Sequence, residues 1–180
     1  MTMQQDDEFF NRLARKLSRS SGIRLDIACG NNKQKGFFGI DAQDLPGVDL
    51  VYDLNQYPWP LPDESVVTAV SSHYVEHINP ADGGFLKFMD EVWRILVPEG
   101  NLAISTPYGG SSRYWQDPTH CNGCNEHTWL YFDPINGTGL WGFYRVKPWK
   151  INNIYWSPVG DIEVALEKRQ EDPSYYEGAK

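Results

Sequence analysis

The stretch Ile23–Asp41 constrains this chain more than any other. Ile23, Leu25 and Ile27 alternate with Arg24 and Asp26, the two-residue period of a strand. Gly30 follows, where the backbone must turn sharply and where a ligand can come close. Phe37-Phe38-Gly39-Ile40 is again of strand length, and Asp41 stands at its carboxyl end. Parallel neighbours need a crossover of a dozen or more residues, commonly a helix. The link from Cys29 to Gly36 offers eight, so the first crossover helix is expected to be shortened or absent. Ligands of open parallel sheets lie outside the carboxyl ends of the strands. An aspartate at the end of a second strand suits a bidentate grip on ribose hydroxyls, so these residues point to a cofactor that contains a nucleoside.

The rest of the chain continues an α/β pattern. Phe10, Leu13 and Leu17 share one face of an expected helix over Asp6–Arg19, which Ser20-Ser21-Gly22 stops. This helix is expected to pack over the sheet edge and to cover the face that the missing crossover helix leaves bare. Val48–Tyr52 reads as a third strand ending at Asp53-Leu54, and Pro58-Trp59-Pro60-Leu61-Pro62-Asp63 as a stiff loop with Trp59 as its anchor. Ser65–Val70 reads as a central strand, followed by Ser71-Ser72-His73. Asn79-Pro80 is a good helix start. Phe85, Phe88, Met89, Val92, Ile95 and Leu96 then form a core-facing stripe. Val97–Gly100 turns into a fifth strand, Asn101–Ser105. Residues 106–141 interrupt the pattern with an aromatic-rich insertion expected on the acceptor side. Gly142–Trp156 and Asp161–Arg169 read as a closing strand pair, and residues 170–180 as a frayed tail.

Several of these segments resemble class I S-adenosylmethionine-dependent methyltransferases. Asp26-x-Ala28-x-Gly30 followed by Gly39-Ile40-Asp41 resembles their first motif and its acidic successor, with Ala28 and Asn32 in place of two glycines of the usual pattern. Pro60-x-Pro62-Asp63-Glu64-Ser65 resembles the approach to the fourth strand. Ser72-His73-x-x-Glu76-His77 resembles the segment lining the methionine region, and Arg94–Leu102 resembles the turn into the fifth strand. Asp117-Pro118-Thr119-His120 is similar to a segment of some small phage or cell-surface-cluster members. The resemblance covers roughly residues 23 to 169. It implies a single domain over residues 1–180 with a Rossmann-like, mostly parallel seven-stranded sheet and an antiparallel last strand. It also implies S-adenosylmethionine as cofactor, held by Asp26, Ala28, Cys29, Gly30, Asn31, Asp41, Asp53, Leu54, Ser71, Ser72 and His73. In this frame Asp53 receives the adenine amino group and Leu54 packs on the ring.

The expected reaction is methyl transfer to an O or N atom of a small-molecule or saccharide-like acceptor. His120, His73 and Asp117 are the catalytic candidates. In the sharpest version His120 faces the acceptor as base, or at least positions its hydroxyl, and Asp117 orients its imidazole or caps the local turn. Tyr108 and Tyr114 are candidates for an aromatic face beside the sulfonium. The main alternative is a non-catalytic binding or regulatory protein that keeps the fold. A nicotinamide-dependent reductase is disfavoured, because Gly30 is followed by Asn-Asn-Lys-Gln and not by the glycines of a dinucleotide fingerprint.

Composition narrows the partners. The net charge of −8 and pI near 4.9 disfavour an extended phosphate-binding surface, so nucleic acid is not expected. No run of 18 apolar residues is present, and the acidic start lacks the order of a signal peptide. A cytoplasmic location without membrane attachment is expected. Three cysteines argue against a disulfide framework. His120, Cys121, Cys124 and His127 have the residue types of a zinc knuckle, but four ligands in so short a run do not easily share one tetrahedron; Cys121, Cys124 and His127 completed by water or another side chain are the more feasible set, and no metal is expected there.

Overall fold

A computed structural model describes residues 22–137, 141–144 and 146–176. The expected helix Asp6–Arg19 lies outside them. The alternating segments form a seven-stranded sheet: β1 (Ile23–Ile27), β2 (Phe38–Asp41), β3 (Leu50–Val51), β4 (Val66–Ser72), β5 (Leu96–Pro107), β6 (Trp149–Trp156) and β7 (Asp161–Lys168). Their spatial order is β3-β2-β1-β4-β5-β7-β6. The first five strands pair in parallel, and β7 runs antiparallel to both β5 and β6. The expected Rossmann-like, mostly parallel architecture is therefore present, and strand order reverses between β1 and β4. Such a switch point opens a crevice at the carboxyl ends of the two strands.

The link between β1 and β2 contains no helix. Side chains supply the hydrogen bonds that a helix would make internally. Asp26 Oδ2 accepts the Gln34 N–H at 2.7 Å, and Asp41 Oδ2 accepts the Gly30 N–H at 2.8 Å. Asp49 Oδ2 accepts both the Gly39 N–H at 2.9 Å and Lys33 Nζ at 2.6 Å. Gly39 is required by close approach: a Cβ there would stand 2.6 Å from Cys29 Sγ and 2.5 Å from Lys33 Cδ.

Side chains of one sheet face are buried. Leu25 and Ile27 of β1, Leu102 and Ile104 of β5, and Val164 and Leu166 of β7 join the core cluster with the helix Gly84–Ile95. That helix follows a short 3₁₀ turn, Ala81–Gly83, so it begins later than the Asn79-Pro80 signal suggests. On the opposite face Arg24, Ala103, Asn153, Tyr155 and Glu163 are exposed, because no described helix covers it. β5 starts at Leu96, earlier than expected, and carries an irregularity where its pairing with β4 shifts between Val66 and Thr68. Pro173–Tyr176 forms a 3₁₀ turn, and Tyr175 meets Trp141 at 5.9 Å, so this part of the expected tail is packed.

The proline-rich loop is stapled to the helix by a network of hydrogen bonds and ion pairs around Glu91 and Arg94. Glu91 is buried and accepts the Trp59 N–H at 2.6 Å. Arg94 binds both Glu91 oxygens, at 3.0 and 2.6 Å, donates to the carbonyls of Leu61 and Trp59, and pairs with Asp63. Trp59 is buried beneath, its indole donating to the Leu54 carbonyl at 3.1 Å. Arg94→Ala leaves a buried carboxylate without its cation and is expected to cost about 3 kcal/mol in urea unfolding. Loss of a few tenths only would show that the staple is dispensable.

Candidate functional site

A cavity of about 700 Å³ opens at the switch point, within the size range of small-molecule and cofactor sites. Asp26, Ala28, Cys29, Gly30 and Asn31 line it from the end of β1, and Ser71, Ser72 and His73 from the end of β4. Eight of the expected cofactor-binding residues thus surround one space. β5, β6 and β7 add Ala103, Asn153, Tyr155 and Glu163. The last three escaped the sequence reading because they come from strands far along the chain, and only their alternation with core residues marks their shared face.

Two residues that line this cavity hold backbone conformations that L-residues rarely adopt. Ala28 has φ 55° and His73 has φ 53°. Strain of this kind persists where surrounding structure over-determines it, and it clusters at functional sites. Here the Cys29 N–H donates to the Ile40 carbonyl at 3.3 Å, and the His73 N–H to Ser105 at 2.8 Å. Both strands therefore leave the sheet sharply at neighbouring points.

Asp26 is 5% exposed. Burial raises its pKa, against the lowering effects of the Gln34 N–H and Lys33. The Cys29 thiol is pushed up to about 11, chiefly by burial and then by Asp26 and Asp41, so it is a poor nucleophile. Ser71 Oγ is buried without a hydrogen-bond partner among the described residues. His73 Nδ1 lies 3.2 Å from Glu76 Oε1, and its Nε2 lies 3.8 Å from Asp161 Oδ2. The hydrogen bond to Glu76 raises the His73 pKa above its ordinary value. Glu76 itself is 1% exposed, and its Oε2 accepts the Thr106 hydroxyl at 3.0 Å.

Other expected residues stand elsewhere. Asp41 does not line the cavity; it supports it by holding the Gly30 N–H, while its second oxygen accepts the Gln43 N–H at 2.9 Å. Asp53 lies outside the lining, and Asn55 and Gln56 occupy its oxygens and lower its pKa. Leu54 is only 2% exposed and belongs to the core cluster, so its side chain has little surface to offer an adenine ring. His120 and Asp117 do not line the cavity either. The orienting partner of His120 is the Tyr114 carbonyl, 2.7 Å from Nδ1. Asp117 lies 3.8 Å from the other nitrogen, Nε2, and its Oδ1 accepts the Thr119 N–H at 2.8 Å and the Thr119 hydroxyl at 2.7 Å, so it caps the local turn, the second of the two roles expected of it. Tyr114 is buried against His120, and Tyr155 is the aromatic residue that reaches the cavity.

Among the described residues, no helix is long and apolar enough to cross a membrane. No family model matches the chain, and no curated protein matches it. Solved structures do resemble it. A SAM dependent methyltransferase from Archaeoglobus fulgidus shares 15% identity over 91% of this chain and 94% of that one, with a TM-score of 0.57. One from Mesorhizobium loti shares 14% identity over 87% and 96%, with a TM-score of 0.54. One from Aquifex aeolicus shares 16% over 88% and 89%, with a TM-score of 0.52. At these identities the likeness is one of fold, and the fold of this chain is the Rossmann-like α/β fold that these structures share.

Proposed function

We propose that this chain is an S-adenosylmethionine-dependent methyltransferase that acts on an O or N atom of a small-molecule or saccharide-like acceptor. The observation that carries the reading is the cavity at the β1/β4 switch point, lined by the strained residues Ala28 and His73. The residues present fit the cofactor. Gly30 has open space where a side chain would stand. Ser71 Oγ is a buried donor in need of an acceptor. Asp26 and Glu163 give the cavity a negative lining that favours a cationic ligand over a phosphate. When bound, S-adenosylmethionine supplies a methyl group on a sulfonium, whose thioether is a good leaving group.

The chain's own contribution is then to bind, align and move a proton. Alignment alone supplies up to about 7–11 kcal/mol in favourable cases. Tyr155 offers an aromatic face for cation–π attraction. His73 is the base in this reading: Nδ1 faces the buried Glu76 carboxylate, which leaves Nε2 to take a proton from the acceptor. His120 is set aside because it does not reach the cavity. The acidic chain and cavity support a small-molecule partner, and the working location is the cytoplasm. The alternative, a binding protein without turnover, is favoured by the absence of a crossover helix after β1, which removes the helix N-terminus that would face the cofactor.

S-adenosylhomocysteine is expected to bind and NADH not to. At about 100 Kd the ligand should stabilise the fold by about 2.7 kcal/mol. Absence of calorimetric binding at millimolar ligand would refute the cofactor assignment, while binding without turnover on any acceptor would favour the alternative. His73→Ala should lower turnover by about 10²–10⁴-fold with S-adenosylhomocysteine affinity nearly intact. Near-normal turnover removes His73 from proton transfer. Asp26→Asn separates stability from binding. Because the folded pKa of Asp26 is raised, its ionisation costs the fold increasingly as pH climbs from the unfolded value to the folded one, and the cost is complete above it. The asparagine variant should therefore melt higher than wild type at neutral pH, lose this advantage in acid, and bind S-adenosylhomocysteine more weakly. A variant that melts lower and binds equally well would contradict both roles.

A further inference from the structure

We propose that Glu76, His77 and His120 form a binding site for a first-row divalent transition metal ion such as Zn²⁺, with open coordination positions facing solvent. One ligand atom from each of the three lies within 4.8 Å of those of the other two. They come from the 3₁₀ turn Val75–His77 and from the loop after the short helix Ser112–Trp115. Backbone hydrogen bonds lock these segments together. The N–H groups of Cys121 and Asn122 both donate to the Glu76 carbonyl, at 2.9 and 3.0 Å, and Asn122 Nδ2 donates to the Val75 carbonyl at 2.9 Å. The imidazole rings of His77 and His120 meet edge to face at 4.8 Å.

Hydrogen bonding leaves a lone pair on Nε2 of each ring. His120 Nδ1 lies 2.7 Å from the Tyr114 carbonyl, which only accepts, so Nδ1 carries the proton. His77 Nδ1 lies 3.1 Å from Thr119 Oγ1. That hydroxyl gives its single proton to Asp117 Oδ1 at 2.7 Å and therefore accepts from His77 Nδ1–H. Metal-binding histidines are held in this way, by a carbonyl, carboxylate or similar acceptor on the nitrogen away from the ion. The third ligand is a buried carboxylate. Glu76 is 1% exposed; its Oε1 lies 3.2 Å from His73 Nδ1 and its Oε2 accepts the Thr106 hydroxyl at 3.0 Å, while among the described residues no Lys or Arg lies within ion-pair distance of it. Asp117 Oδ2, 3.8 Å from His120 Nε2, adds a second negative group beside the site.

Two imidazoles and one carboxylate are the donor set of open zinc sites and of other transition-metal centres. Mg²⁺ and Ca²⁺ prefer oxygen alone. Zinc bond lengths place tetrahedral ligand atoms about 3.3 Å apart, so the site closes by side-chain rotation, which the exposed His77 permits. The cysteines are not part of it. Cys124 is buried, its thiol pushed up to about 12 by desolvation, and the His127 side chain is 71% exposed. The sequence reading weighed metal only within the His120–His127 run, whereas folding brings His120 together with Glu76 and His77.

The test uses the full chain, stripped with chelator and titrated with Zn²⁺ by calorimetry and with Co²⁺ by absorption. The expected result is one equivalent bound, with cobalt ligand-field bands and no thiolate charge-transfer band. His77→Ala and His120→Ala should each weaken Zn²⁺ binding more than about 10-fold, and Thr119→Val about 10–100-fold by freeing the His77 ring. Cys121→Ser and His127→Ala should leave it unchanged. Long-range ¹H–¹⁵N NMR of the wild-type chain needs no variant. It should show both rings protonated at Nδ1 and both Nε2 signals moving on addition of Zn²⁺. Failure of the stripped wild type to bind Zn²⁺, binding that Cys121→Ser abolishes, or Nε2 signals that do not move would overturn the site. None of these readouts depends on methyl transfer.

Discussion

The chain has only residues 28–37 in which to pass from β1 to β2, and much of this structure follows from that limit. A parallel crossover without a helix loses the ladder that would satisfy its own backbone. Asp26, Asp41 and Asp49 replace it by accepting the N–H groups of Gln34, Gly30 and Gly39. The three carboxylates come from or beside three adjacent strands, so the sheet itself braces the turn. The same economy of chain leaves one sheet face without a helix among the described residues. A space then runs from the ends of β1 and β4 across to β7 and β6.

Glu76 links that space to the rest of the carboxyl edge. Its side chain ties His73 to Thr106, and its carbonyl holds the loop that carries His120. Left-handed backbone at Ala28 and His73 costs about 1–3 kcal/mol each. Pairing of the next residue with β2, or of the residue itself with β5, is what offsets that cost. The strain is thus local, while its support is spread over β2, β5 and the turn Val75–His77.

Asp26 shows how stability and binding pull apart at such a site. Burial makes its ionised form unfavourable in the folded chain, yet a buried negative group beside an open glycine is what a cationic ligand needs. Its position suits ligand attraction better than it suits the empty fold.

The elements were legible in the sequence because their signals are local. Alternation at Ile23–Ile27, the helical stripe from Phe85 to Ile95, and the shortness of the first link each depend on neighbours along the chain. So did the placing of Asp26, Ala28, Gly30, Ser71 and His73 at strand ends, since a strand end is a sequence position. The surroundings of Leu54, Asp117 and His120 were not legible. Leu54 is drawn inward by Trp59, whose indole takes its carbonyl. His120 is turned by the Tyr114 carbonyl, and Asp117 sits at the opposite nitrogen from the one it would need to steer. The contributions of Asn153, Tyr155 and Glu163, and the meeting of His77 with His120, were decided by strand order and loop docking. Those depend on contacts between residues far apart in the chain, which no local period records.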